Sequence, residues 1–362
     1  MRRYKRGMSF LFVGSTGDRA GHSLVTWALA RAFLTKGLKV GFLKPFGSHP
    51  IYSNGLWIDR DASLFKEVLG LEETYEQICP FMFGDASWGQ KAVEEILRDL
   101  KGITRRLGEG KDILLIMGSR QIFFDDAPFP LPDVSIIPEL KAGVVLVNRL
   151  RTVSKSLYSI LSLISLLGDS VKGIILNRVP PEMAQEIETR VIPSLSQKGI
   201  SVTAAIMEDP FLSYRSIREI RETLKGEILC GEKYIENPVG GMTVGSGDLT
   251  GGLRIFKRAY NKIVLLRASL PGEALAGPSR PRPVAGILLT GDRRPAPQLL
   301  QAAENASLPL IRTREDTFAS LELLEQATPP LSPKDEAKVR HFTSLLNRDG
   351  AIDRLMASLD IP

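Results

Sequence analysis

Between Phe10 and Ser23 the chain reads FLFVGSTGDRAGHS. Four apolar residues form a short buried strand, a glycine-rich turn follows, and an amphipathic helix begins with Leu24, Trp27, Ala28, Ala30, Arg31 and Leu34. A strand, a flexible turn and a helix start in that order can wrap backbone N–H groups around a phosphate. The residues that would do so are Gly14, Ser15, Thr16, Gly17, Gly21, His22 and Ser23. Loops of this design usually close on Gly-Lys-Ser/Thr, where the lysine reaches the terminal phosphates and the hydroxyl holds magnesium. Here the closure is Gly21-His22-Ser23, so the hydroxyl is present and the lysine is absent. A second reading stays open, in which the three glycines make only a tight strand-to-helix connection and His22 faces water.

The elements needed to position such a loop recur along the chain. Helix one stops at Lys36-Gly37, and Val40 to Leu43 makes a second apolar run ending at Lys44-Pro45. Residues 48–58 read as a loop, and Arg60-Asp61-Ala62-Ser63 opens a helix through Leu69. Helical spacing continues from Trp88 to Leu107, and Ile113 to Met117 is an unalternating apolar run suited to the interior of a parallel sheet. Val144 to Val147, Gly173 to Leu176 and Val202 to Ile206 complete an alternation of strands and helices. Alternation of this kind predicts a doubly wound α/β sheet, mostly parallel, with the Gly14 turn, Lys44, Gly118 and Asn177 gathered at the carboxyl ends of its strands.

A cluster of glycines between residues 226 and 252 marks a domain boundary, and beyond it a smaller α/β unit has strands at Lys262 to Leu266, Ala285 to Leu289 and Leu308 to Ile311. A proline-rich linker then leads to a polar helix, Pro333 to Leu346. The net charge is +6, but Arg2, Arg3, Lys5 and Arg6 supply four of those charges. The rest of the chain is nearly neutral, which argues against nucleic acid as a partner. No run approaches the ~20 apolar residues of a membrane helix. Cys79 and Cys230 stand far apart without metal-type neighbours, which reads as a reduced, cytoplasmic protein.

Taken together, GSTGDRAGHS, LKPFG, RDASLFKEVLGL, DILLIMG, GIILNRVPPE and GEILCGE resemble the dethiobiotin-synthetase-like, P-loop domain found at the N-terminus of long phosphate acetyltransferases. The later GILLTGDRRPAP and PLIRTREDTFASLELLE are similar to the DRTGG domain that follows it. The resemblance divides the chain into a basic tail at 1–7, a dethiobiotin-synthetase-like domain at 8–232, a DRTGG-like domain at 238–327, and a linker with a C-terminal helix at 328–362. No room is left after residue 330 for an acetyltransferase domain. The resemblance implies ATP or ADP as ligand and magnesium held by Ser23 and Asp61. It matches Lys44 to a lysine near the reacting centre, and Asn177, with Arg178 beside it, to an asparagine that reads adenine. His22 replaces the loop lysine, and Met117 stands where a metal-binding glutamate is expected.

Each position keeps a plainer reading. Asp61 can serve as a helix N-terminal charge, Lys44 can be an exposed strand end, and Asp18 can pair with Arg19. The Asn177 amide ends an apolar strand and needs partners of some kind. In the DRTGG-like part, Arg267-Ala268-Ser269 occupies the place of the usual Gly-Asp-Arg. That triplet appears later as Gly291-Asp292-Arg293, which either binds an anion with Arg294 or forms an exposed turn. The combined expectation is a nucleotide-responsive regulator or scaffold that turns over ATP poorly. It would be a homodimer with a protein partner in acetyl-phosphate metabolism. An ATP- and magnesium-dependent ligase or synthase, with Lys44 catalytic, and a ligand-free interaction module are the alternatives.

Overall fold

In the computed structural model the described residues are 9–17, 19–53, 55–82, 91–119, 122–123, 131–245, 263–268, 284–291, 295, 297–327 and 330–361. They form two compact units, one of 1–208 with 331–362 and one of 209–330. Asp18, Trp88, Ser269, Asp292, Arg293 and Arg294, all singled out in the sequence, lie outside the described residues.

The first unit is built on β1 (Ser9–Ser15), β2 (Val40–Leu43), β3 (Phe46–Gly47), β4 (Pro50–Ser53), β5 (Leu56–Asp59), β6 (Phe81–Met82), β7 (Ile113–Met117), β8 (Gly143–Arg149), β9 (Val171–Val179) and β10 (Val202–Met207). Its main sheet has the order β10-β9-β8-β1-β7-β2, every pairing parallel. All five residues of β7 are buried, as are Leu11, Phe12 and Val13 of β1. Burial on both faces explains why these strands carry no polar alternation. The sheet therefore confirms the doubly wound architecture, and β1 sits in the middle of it.

Strand β1 is longer than its four apolar residues indicate. Gly14 pairs with Leu146 and Ser15 with Val147 of β8, so both belong to the strand and not to the turn that follows it. Residues 48–58 also depart from expectation, because β4 and β5 form an antiparallel hairpin in which Tyr52 faces Trp57 at 5.3 Å between ring centroids. The next helices after the loop and the hairpin are α1 (His22–Thr35) and α2 (Arg60–Leu69).

The C-terminal segment is part of this first unit. Val339, Phe342 and Leu346 repeat at helical spacing and are fully buried on the helix Glu336–Leu346, which packs against α1. Its polar composition hides that narrow apolar stripe. Ile352, Leu355 and Met356 are buried on the helix Ala351–Ser358, and the Ser9 hydroxyl donates to the Leu359 carbonyl at 3.1 Å.

The second unit holds β11 (Arg215–Ser216), β12 (Glu227–Cys230), β13 (Pro238–Gly245), β14 (Ile263–Ala268), β15 (Val284–Thr290) and β16 (Leu310–Thr313) in the order β11-β13-β14-β15-β16-β12. The sheet is mixed, with β15 and β16 parallel and the other pairings antiparallel. Strand β12 pairs with β16 here, so by packing this unit begins near Asp209, upstream of the glycine cluster. Its helix Ile217–Thr223 starts with a capping box, Ser216 accepting from the Glu219 N–H and Glu219 from the Ser216 N–H. Ser216→Ala removes one of those bonds and is expected to destabilise the unit by about 1 kcal/mol, read from its urea unfolding midpoint. No helix among the described residues is long and apolar enough to cross a membrane.

Candidate functional site

The turn after β1 is fixed from three sides. Thr16 donates its N–H to the Val147 carbonyl at 3.0 Å, and its hydroxyl accepts from Asn148 Nδ2 at 2.7 Å. The Ser15 hydroxyl donates to the Gly17 carbonyl at 2.6 Å. Asn177 Nδ2 donates to the Ala20 carbonyl at 2.8 Å, while its Oδ1 accepts from the Arg178 N–H at 3.0 Å. Gly21 then takes a left-handed conformation at φ 90 and opens α1. A methyl group there would lie 2.6 Å from Asn177 Nδ2, so glycine is needed for both its φ and its lack of a side chain.

The start of α1 has the character of an anion site. Its first intrahelical bond runs from the Val25 N–H to the Gly21 carbonyl, no side chain caps it, and its first turn contains no acid. The N–H groups of His22, Ser23 and Leu24 precede that bond and carry the positive end of the helix dipole. Asn148, buried beside the loop, leaves its Oδ1 without a partner, an acceptor suited to a hydroxyl or water donor.

Across from the loop, a charged group is closed in on itself. Lys44 follows β2 and is 2% exposed, which rules out a solvent-facing strand end. Its Nζ lies 2.6 Å from Asp61 Oδ2 and 3.0 Å from Asp59 Oδ1. Asp59 is the N-cap of α2, with Oδ1 accepting from the N–H groups of Asp61 and Ala62 and Oδ2 from that of His49. Burial is the largest influence on Lys44 and opposes its charge, yet Asp61 and Asp59 together hold the ammonium above the ordinary lysine value. For Asp61, burial likewise works against ionisation, and Lys44, with smaller help from Arg60 and His22, holds the carboxyl well below the ordinary range. Burial, Lys44 and Arg60 push the neighbouring His49 imidazole down.

That pairing bears on magnesium. Asp61, expected as a ligand, already accepts a hydrogen bond from Lys44 at Oδ2, and the Met117 side chain is fully buried in the apolar core with no oxygen to offer. Among the described residues no group of three His, Cys, Asp or Glu side chains is arranged to hold a metal. Magnesium demands near-octahedral oxygen ligation. Ser23 and Asp61 are the side chains that would hold it, and at Asp61 Oδ2 it would compete with Lys44.

The structure thus brings Gly14, Ser15, Thr16, Gly17, Gly21, His22, Ser23, Asn177 and Arg178 to one edge of the sheet, with His22 in electrostatic reach of Asp61. It turns both ends of the Asn177 amide onto the chain. Three supporting residues escaped the sequence reading. Asp59 is legible as an N-cap from Asp-Arg-Asp-Ala ahead of an amphipathic run. Asn148 and Asp133 act across long separations, the latter buried and accepting from the Ser119 N–H at 2.7 Å, and carry no local signal. A cavity of about 550 Å³ lined by Trp27, Arg31, Leu69 and Glu336 includes none of the loop residues in its walls.

Profiles of two domain families match the chain, the AAA domain over residues 10–231 and the DRTGG domain over residues 219–327. Phosphate acetyltransferase of Synechocystis sp. is 27% identical over 358 residues, covering 94% of this chain and 50% of the relative. ATP-dependent dethiobiotin synthetase of Thermodesulfovibrio yellowstonii is 25% identical over 203 residues, covering 51% of this chain and 83% of that one. The chain spans about half the length of the phosphate acetyltransferases it matches. A nucleotide-binding protein of Archaeoglobus fulgidus in complex with ADP aligns over 56% of this chain and 82% of its own, at 18% identity and a TM-score of 0.32, a likeness too loose to bear on the site.

Proposed function

The chain belongs to the AAA domain family and carries a DRTGG domain, and from that premise we propose that it is a regulatory protein that binds ATP or ADP without efficient turnover. The observation that carries this reading is the buried contact of 2.6 Å between Lys44 Nζ and Asp61 Oδ2. Phosphoryl transfer is catalysed by positioning and charge neutralisation. An ammonium already compensated by two carboxylates supplies little net positive charge to a transferring phosphate. The loop carries His22 where an unencumbered lysine would be worth several kcal/mol in the transition state. What remains is recognition, in which backbone N–H groups at the start of α1 meet the phosphates. By relation to the phosphate acetyltransferases, the regulated process belongs to acetyl-phosphate metabolism.

Calorimetric titration with ATP and ADP, with and without magnesium, tests the reading. Affinities with and without the metal are expected to agree within about threefold, and phosphate release to stay at background. Magnesium-dependent hydrolysis that disappears in Asp61→Asn would establish the ligase or synthase class instead. Absence of heat with every nucleotide would leave the glycine turn a structural connection.

A further inference from the structure

Beside the loop, on the sheet edge made by the carboxyl ends of β8 and β9, the chain concentrates arginines. Arg149 ends β8 and is in register with Asn177 of β9, Arg178 follows Asn177, Arg151 lies two residues beyond Arg149, and Arg19 occupies the turn after β1. Arg178, Arg151 and Arg19 all lie within electrostatic reach of Arg149. Burial first, then repulsion from Arg178, Arg151 and Arg19, lowers the pKa of the Arg149 guanidinium, with Glu208 the acid that opposes them.

Two features mark this group. Arg31, Arg190, Arg218 and Arg312 each meet a glutamate. Among the described residues Arg149, Arg151 and Arg178 form no ion pair. Arg19 and Arg178 also have left-handed backbones, at φ 56 and φ 53. That conformation costs an L-residue roughly 1–2 kcal/mol and persists where the surroundings impose it, as at ligand clamps. At both positions it accompanies an arginine turned out of the regular course of the chain at the same sheet edge.

We propose that this edge is an anion subsite for a phosphate-bearing small molecule, with Arg149 and Arg178 as its hydrogen-bonding forks and Arg151 and Arg19 as flanking charge. Guanidinium forks match the paired oxygens of phosphates and carboxylates. The positive charges of Arg149, Arg151 and Arg178, none of them in an ion pair, favour a multiply charged phosphate over a monocarboxylate. The near-neutral remainder of the chain makes the charge local, which suits a small ligand better than a nucleic-acid strand. The subsite does not require a nucleotide at the start of α1, so it stands or falls separately from the proposed function.

Titration of the full chain with inorganic pyrophosphate, with acetate as the monocarboxylate control, tests it. The native chain is expected to bind pyrophosphate saturably and acetate not at all. Arg149→Gln and Arg178→Gln are each expected to weaken pyrophosphate about tenfold, and Arg149→Lys, which keeps the charge and loses the fork, by less. Arg151 is exposed, so Arg151→Gln leaves the fold intact and is expected to weaken binding about threefold through charge alone. It decides the matter should the strand-end variants unfold. Pyrophosphate held only at the start of α1 would keep its affinity in Arg149→Gln and Arg151→Gln alike, and that result overturns the subsite, as does a native chain that binds acetate equally well or no pyrophosphate.

Discussion

Lys44→Met is expected to destabilise the first unit by about 3–5 kcal/mol, a fall in Tm of roughly 10 °C. Two carboxylates share the Lys44 ammonium in a buried site. Their dependence on it is unequal. Asp59 keeps three backbone donors, from His49, Asp61 and Ala62, after the lysine is gone. Asp61 gives its Oδ2 to Lys44, and the substitution leaves a buried carboxylate without its principal counter-charge. Lys44→Met combined with Asp61→Asn removes that orphaned charge and is expected to recover about half of the loss, since neutralising both members of a buried pair costs much less than breaking it. A double variant no more stable than Lys44→Met would show that Asp61 does not depend on the lysine.

The same pair sets a pH profile. Asp61 has its folded pKa depressed below the ordinary value of 3.8, so its contribution is present above about pH 4 and is lost as pH falls through the folded value. Lys44 has its folded pKa raised above 10.5, so its contribution is complete below that value and is lost only as pH rises through the folded one. Between the two limits the pair is fully charged and its stabilisation is flat. In Lys44→Met the carboxyl loses the partner that held it ionised while its burial remains, so the stability gap between the native chain and the variant is expected to be widest near neutral pH and to narrow as pH falls and Asp61 takes up a proton, read by circular dichroism from pH 2 to 7.

How far such a site can be read from sequence depends on the range of the interactions that build it. The parallel sheet was legible because Ile113–Met117 and Val144–Val147 are apolar on both faces, a one-dimensional consequence of burial between helix layers. The loop was legible because glycines at 14, 17 and 21 have few other uses between a strand and a helix. The hairpin of β4 and β5 was hidden by its Gly, Ser and Asn content, although Asn54-Gly55 between the paired Ser53 and Leu56 is itself a two-residue hairpin signal. The return of the C-terminal helices to the first unit was not legible, since three buried residues on a polar helix name no partner. Nor was the pairing of Lys44 with Asp59 and Asp61. Fifteen or so residues separate them, and only the fold decides whether a lysine points at a ligand or at its own chain.

Gly21→Ala is expected to weaken ATP binding at least tenfold and to cost roughly 1–3 kcal/mol in stability, through two separable effects. The first is local strain, because alanine at φ 90 is disfavoured wherever it occurs. The second is displacement, because its Cβ would lie 2.6 Å from Asn177 Nδ2 and drive the amide away from the Ala20 carbonyl that it holds. Asn177→Ala alone leaves that carbonyl and the Arg178 N–H without their side-chain partner, at a cost of about 1–3 kcal/mol. In the Asn177→Ala background the added methyl of Gly21→Ala meets open space, so the strain remains and the displacement is gone. The two changes are therefore expected to be less than additive, with a coupling of about 1 kcal/mol in a double-mutant cycle. Strict additivity would mean that the amide is not seated against Gly21. Nucleotide preference separates the brace from a base-reading role. An amide that braces the loop weakens ATP and GTP together when removed, whereas one that reads adenine weakens ATP alone. Its two hydrogen bonds to the chain favour the first outcome.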